Sequence, residues 1–558
     1  MIARLLLAAA AAGSIGSAAP WIADLGNGTY RNPVLAGDYS DPDVIRVGGD
    51  FYLVSSSFTN VPGLPILHSR DLVNWTIIGH ALSGLEPVGH YSVPRRGGGV
   101  WAPAIRHRAG RFQIYYPDPD RGIFVISAKD PRGPWSPPSL VSDAKGAIDP
   151  APFWDEQGRG WLLNAWAGSR AGFNNVITLN RLNADGTKVI GTPRQIIKGS
   201  DFGSVLTRDG PRRWSVIEGP KLYFRDGWYY VFAPAGGVKQ GWQGVFRSRR
   251  IEGPYEARNV MDQGATDVNG PHQGALVSTG AGEDWFVHFQ DRDGFGRVVH
   301  LEPVAWRNGW PVVGSDPDGD GRGEPVSVHA KPRLPSQAPA APQASDEFDH
   351  KLGPAWQWNS NPGSDWARIA DGRLCLKSAT APANLFEAGN LLSQKLPAPT
   401  FTATTQVTFV PMRVGERTGL AIAGQTYAFI GLERTADGLR VVQVRSEGAA
   451  ETTISGPAVG TAPVWLRISV QPTERAVPPP QDKEFDQPAM RREIEPRVRF
   501  SYSMDGDRFE NLGEPFVASQ GRWTGAQIGL FATAPYGTPA AVATTVGEAC
   551  FDWFRIGP

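Results

Sequence analysis

The sequence predicts a nearly all-β protein, a five-bladed β-propeller followed by a β-sandwich. Three observations predict it. Turn-forming residues are abundant, one phrase recurs five times before residue 330, and a Pro/Ala stretch then separates a second set of strands that lacks the phrase.

The 558 residues exceed what one core can organise, since domains typically run to ~100–200 residues and all-β ones to ~250. Gly (66), Pro (48) and Trp (19) are plentiful, and apolar runs are short and rich in Val, Ile, Phe, Tyr and Trp, the composition of many turns joining short strands. Lys+Arg and Asp+Glu are equal at 55 each, so no net field draws the chain to nucleic acid or to an anionic membrane surface, and a neutral partner fits better. The opening "MIARLLLAAAAAGSIGSAAP" has one Arg, an apolar run from Leu5 to about Ala12 and small residues up to Ala19. Residues 1–19 are therefore expected to be a secretory signal, and the protein to be exported to the periplasm or the medium. No later apolar run is long enough to span a membrane. Cys375 and Cys550 are the only cysteines, which excludes a disulfide-dense scaffold and a Cys-ligated zinc site. Their sequence separation leaves open whether they are bonded.

The recurring phrase is an X-Pro step, a short apolar run, a Gly-containing turn and an aromatic strand. Its copies are "SDPDVIRVGGDFYLV", "WAPAIRHRAGRFQIYY", "IDPAPFWDEQGRGWLL", "EGPKLYFRDGWYYVF" and "GPHQGALVSTGAGEDWFVHF", with Pro42, Pro103, Pro150, Pro220 and Pro271 spaced 47–70 residues apart. Each interval holds a four-stranded antiparallel sheet. "LHSRDLVNWT", "ISAKDPRGPWS" and "RSRRIEGPYEA" read as third strands with their turns, so five blades are expected over residues 20–330. An array of sandwiches would not restart each time with the same phrase.

Innermost strands of a propeller begin near one another, so the residues at or just before the repeated Pro converge at one mouth of the channel. These are Asp41, Ala102, Asp149, Glu218-Gly219 and Gly270. A lone Asp before Pro is ordinarily a turn or cap residue, but three carboxylates in register suit hydrolysis of a glycosidic bond. One activates water, a carboxylic acid protonates the leaving oxygen, and a third raises the acid's pKa by like-charge proximity. Asp43 lies two residues beyond Asp41, but only Asp41 aligns with Asp149 at the Asp-Pro step, so Asp43 is assigned a structural hydrogen-bonding role.

"NPVLAGDYSDPDVI", "GVWAPAI", "AIDPAPFWDEQG", "IEGPKLYFRDGWYYVF" and "GRVVHLEPVAWRNGWPVV" together resemble glycoside hydrolase family 43 over about residues 30–330. The resemblance implies a propeller of inverting enzymes, mainly β-xylosidases, α-L-arabinofuranosidases and arabinanases. It implies Asp41 as general base, Asp149 as pKa modulator and orienter of the acid, and Glu218 as general acid. Asp41 and Glu218 would then stand roughly 6.5–9.5 Å apart, leaving room for water. Phe58, Trp101 and Trp166 are candidates for an apolar sugar platform, with core packing as the alternative. Arg297 resembles the family's arginine facing the reacting sugar. His272 matches a histidine near the channel that in some members ligates calcium or water, so it is a candidate for substrate binding or for a structural calcium, with a satisfied channel-lining histidine as the alternative, and no cofactor is required. "DPDGDGRGEP" sets Asp316, Asp318 and Asp320 in half a calcium-loop pattern, but position twelve is Ser327, so a solvated acidic turn is expected, with a surface calcium as the alternative.

Residues 331–344, "KPRLPSQAPAAPQA", form a linker with almost nothing to build a core. Residues 345–558 return to short alternating strands and are expected to be a concanavalin-like sandwich, with Trp356, Trp358 and Trp366 in its core or on a sugar-binding face. "RAVPPPQDKEFDQPAMRREIEPRV" is expected to interrupt it as a surface loop. The combined expectation is an exo-acting inverting β-1,4-xylosidase of xylan degradation, acting on xylo-oligosaccharide or arabinoxylan fragments. α-L-Arabinofuranosidase or dual activity is the close alternative, with arabinanase or a non-catalytic glycan-binding propeller further off. Five-bladed fructosidases would show Asn-Asp-Pro and Glu-Cys where Ser40-Asp41-Pro42 and Glu218-Gly219-Pro220 stand. Oligomeric state and sugar preference stay open at this level.

Overall fold

Each X-Pro phrase opens a four-stranded antiparallel sheet in the computed structural model, which describes residues 19–379, 382–448, 450–477, 491–536 and 546–558. Residues 1–18 of the expected secretory signal lie outside the described residues. Proline cannot donate to a ladder, so it sits where a strand begins or bulges. The inner strands are Asp43–Val47, Ala104–Arg108, Ala147–Trp154, Lys221–Arg225 and His272–Ser278. The next three strands pair outward in chain order in every blade, giving the five sheets expected. In blade three the register shifts between Ile148 and Ala151, so Asp149-Pro150 form a bulge within the inner strand.

All four strands of each blade come from one continuous stretch, so apolar burial must join the last blade to the first. Phe51, Leu53, Leu67 and Trp75 of blade one pack against Val287, Val299 and Leu301 of blade five, and burying each such side chain contributes roughly 1.5–3 kcal/mol. A strap holds the same seam: Leu35 exchanges both backbone hydrogen bonds with Val299, and Thr29–Arg31 pairs with Val328–Ala330. The Pro/Ala stretch after it lies pinned along blade one. Lys331 bridges Asp24 and Asp71, Arg70 N–H donates to Gln337, and Ala340 N–H donates to Asn74.

The C-terminal strands form two packed sheets of seven and eight strands. Alternation along Phe401–Val410 and Val464–Val477 sends Phe401, Ala403 and Val407 with Val464, Leu466 and Ile468 into the shared core. Trp356 and Trp358 are buried in this core and Trp366 packs against it, which answers the question of their use. Cys375 lies opposite Cys550 on neighbouring strands and is joined to it as a disulfide. The expectation of a loop from about residue 475 is corrected on both flanks. Val464–Val477 and Arg491–Ser503 remain paired as far as Val477 and Arg491, and of the expected loop residues 478–490 lie outside the described residues. Pairing of Val464–Val477 with Phe401–Val410 stops at Val470, so Pro472 lies past the end of that ladder, and opposite it Pro496 needs no N–H on its outer side, where its carbonyl accepts from Ala518 N–H at 2.9 Å. Among the described residues, no helix is long and apolar enough to cross a membrane.

The sandwich is docked on the propeller through backbone as well as side chains. Trp358 pairs with Val61, Asn361 exchanges two hydrogen bonds with Leu85, and Phe295 of blade five inserts into the sandwich core.

Candidate active site

The turn before each inner strand decides where the carboxylates stand. The residue preceding the repeated proline is left-handed in four blades, with φ of 55° at Asp41, 52° at Asp149, 57° at Gly219 and 48° at Gly270. For a non-glycine residue that conformation costs roughly 1–3 kcal/mol. Two blades therefore hold aspartate where glycine is the unstrained choice. Blade four gives the position to Gly219, where a Cβ would lie 2.7 Å from Gln273, and carries its carboxylate one residue earlier, on Glu218.

Hydrogen bonds over-determine the strained pair. Asp41, 6% exposed, accepts from Ser56 Oγ at 2.5 Å and from Arg297 Nη1 at 3.2 Å. Asp149, 4% exposed, accepts from Gly219 N–H at 2.8 Å and from Gln273 Nε2 at 3.4 Å. Burial, then the Glu218 charge, push its carboxyl up to about 7, with Asp41 adding to the rise and the Gly219 N–H opposing it. Glu218 is the most accessible of the three, its side chain 26% exposed, and it meets His272 Nε2 at 2.8 Å.

One residue past each proline lies a second, deeper set: Asp43, Ala104, Ala151, Lys221 and His272, all buried. The two alanines leave space and the other three bring charge or hydrogen-bonding capacity. Asp43 accepts from Ile105 N–H at 2.8 Å and from Arg106 at 2.7 Å, tying blade one to blade two. Burial pushes the Lys221 ammonium down while Asp43, Asp149 and Asp41 hold it up. No hydrogen-bond partner for its Nζ is found among the described residues. This lysine was not singled out in the sequence, although it stands three residues after Glu218 in the same phrase. At His272, Nε2 is engaged by Glu218, while buried Nδ1 has no hydrogen-bond partner among the described residues and is the atom left to meet water or an ion on the channel axis. In the acidic turn, Arg307 and Arg322 already neutralise Asp316 and Asp320.

Arg297 N–H donates to Asp38 at 2.8 Å, its side chain reaches Asp41, and its guanidinium lies 4.8 Å from the Phe289 ring centroid. The other oxygen of Asp38 accepts from Gly525 N–H of the sandwich at 3.0 Å, so the second domain braces the arginine turn. Phe58 meets Trp101 edge-on at 6.5 Å, and Trp101 meets Trp523 of the sandwich at 6.0 Å. Trp166 stands apart from these rings: its indole donates to Thr178 and its ring packs on Phe173. Asp38 stands three residues before Asp41 in the same stretch and was within reach of sequence reasoning. Trp523 was not, because only interdomain packing brings it to Trp101.

The family model for glycosyl hydrolases family 43 matches residues 30–311, the span that carries all three carboxylates. The chain belongs to glycosyl hydrolases family 43. The family's "Beta xylosidase C-terminal Concanavalin A-like domain" matches residues 345–557. A "Putative beta-xylosidase" of Xylanibacter ruminicola is 36% identical over 91% of this chain and 87% of its own length. A non-reducing end alpha-L-arabinofuranosidase of Bacteroides ovatus, BoGH43B, is 30% identical over 76% of this chain and 80% of its own. The crystal structure of the GH43 BlXynB protein from Bacillus licheniformis superimposes with a TM-score of 0.76 at 26% identity, covering 95% of this chain and 99% of that one. This family 43 chain is accordingly a glycosidase.

Proposed function

We propose that this family 43 glycosidase is an exo-acting, inverting β-1,4-xylosidase that removes xylose from the non-reducing ends of xylo-oligosaccharides outside the cytoplasm. The observation that carries the exo reading is Trp523 of the sandwich beside Trp101 of the propeller, a wall from the second domain that favours a chain end over a chain middle. The name of the Xylanibacter relative supports xylose. That of the Bacteroides relative keeps α-L-arabinofuranoside as the second reading, because the two pentoses present similar hydroxyls and pockets discriminate such pairs modestly.

In this reading Asp41, oriented by Ser56 and Arg297, takes a proton from the attacking water while Glu218 gives one to the leaving oxygen. Water enters opposite the departing group, so the product sugar has inverted configuration. Asp149 acts through Glu218: the two carboxyls repel when both are charged, and the raised carboxyl of Asp149 keeps a proton in the pair near neutral pH. Phe58 and Trp101 offer the sugar an apolar face.

The test is a time course on xylohexaose with proton NMR of the first product. Xylose alone at early times, released as the α-anomer, supports the proposal. Early xylobiose and xylotriose would overturn the exo assignment, and β-xylose the inverting one. Side-by-side rates on nitrophenyl β-xylopyranoside and α-arabinofuranoside decide between the pentoses.

A pH profile checks the role of Asp149. Its raised carboxyl means that the pair loses its proton as pH rises through about 7, so kcat/KM is expected to fall there. In Asp149→Asn that raised carboxyl is gone, so the basic limb is expected to leave about 7 and move to lower pH. An unmoved limb would remove Asp149 from the modulator role.

A further inference from the structure

Blade five holds a second cluster of titratable groups that the reaction does not use. His288 lies directly opposite His300 on the neighbouring strand, and Glu302 follows His300 by two residues on the same face. All three are buried, at 0%, 3% and 0% exposure. The imidazoles stack at 5.3 Å, and one donor atom from each residue lies within 4.8 Å of the others.

The hydrogen bonding leaves this cluster short of a cation. His288 Nδ1 is 3.1 Å from the Phe289 carbonyl, a contact that requires the proton on Nδ1. In the neutral ring Nε2 is then bare, yet it faces Glu302 Oε1 at 3.3 Å. Two lone pairs confront each other unless something positive stands between them. The gap exceeds the ~2.7–2.9 Å of a charge-assisted hydrogen bond. It matches the ligand–ligand edge of a tetrahedron built on zinc bonds of ~2.0–2.1 Å. Neither ring nitrogen of His300 finds a hydrogen-bond partner among the described residues, so this buried imidazole has a lone pair with nothing to receive it. Glu302 is already oriented as a metal ligand would be: Val326 N–H donates to Oε2 at 2.8 Å and Asn32 to Oε1 at 3.3 Å.

We propose that His288, His300 and Glu302 bind one divalent first-row transition metal, zinc by preference. Two imidazoles and one carboxylate are a zinc donor set, whereas calcium would demand more oxygens. With all three donors buried the ion is structural. It clamps Asp284–Asp291 to Arg297–Arg307, the strand that begins with the arginine on Asp41, and through Val326 it holds the segment that follows the last blade.

The test is the metal content of untagged full-length protein by plasma mass spectrometry, with thermal melts in chelator and after zinc is returned. About one metal ion per chain is expected in wild type, with less than about a tenth of that in Glu302→Gln and His300→Phe. Chelation should lower the wild-type melting temperature and zinc restore it, while neither moves Glu302→Gln. Metal-free wild type whose melt ignores added zinc would overturn the site, leaving a proton between His288 and Glu302. Full metal content in both variants would overturn it too, by placing the ion elsewhere, and the wild-type measurements decide the matter even if a variant fails to fold.

Discussion

Glu218→Ala is expected to lose about 10²–10⁴-fold in kcat/KM on xylobiose while staying within about tenfold of wild type on an activated aryl xyloside. A sugar alkoxide cannot depart unprotonated, whereas an activated phenolate can, so removing the acid penalises the natural substrate selectively. Glu218 is suited to the role because it is the most accessible of the three carboxylates and is fixed by His272 at 2.8 Å. Parallel rate measurements on the two substrates check it. Equal losses on both would move the acid role to another group. The substitution also removes a partner from buried His272, so a melting curve should accompany the kinetics.

Asp41→Ala is expected to be inactive on both substrates, by about 10⁴-fold, since no leaving group compensates for an unactivated water. The alanine variant also leaves Arg297 without its nearest carboxylate, and breaking a buried pair in this way destabilises by about 3–5 kcal/mol. Asp41→Asn separates the two effects. It keeps an oxygen for Ser56 and Arg297 but cannot take a proton, so it should melt closer to wild type and remain equally inactive. Substantial turnover of the aryl xyloside by a folded Asp41→Asn would return the base to Asp43, against the grain of its bonds to Ile105 and Arg106.

Much of this was legible in the chain because a propeller is a repeat. The five X-Pro phrases place Asp41 and Asp149 at equivalent positions, and equivalence in sequence becomes proximity in space once the blades close into a ring. The one-residue offset of Glu218 was visible as well, but its reason was not: only the backbone angles reveal that Gly219 occupies the left-handed position that Asp41 and Asp149 fill elsewhere. Lys221 was overlooked because a charged residue in a strand reads as exposed, and nothing local says that two alanines on other blades make space for it.

The strand order within each blade, the convergence of the three carboxylates and the two-domain division were thus legible in the sequence alone, since each follows from local periodicity, from a change in composition or from a phrase repeated along the chain. The tertiary structure decided what depends on residues far apart. It set Trp523 beside Trp101, linked Gly525 through Asp38 to Arg297, paired Cys375 with Cys550, and kept residues 475–477 and 491–498 in a ribbon instead of a loop. The physical reason is the same in each case. Contacts between domains or distant strands are selected by the burial and hydrogen bonding of whole surfaces, and no short stretch of sequence carries that information.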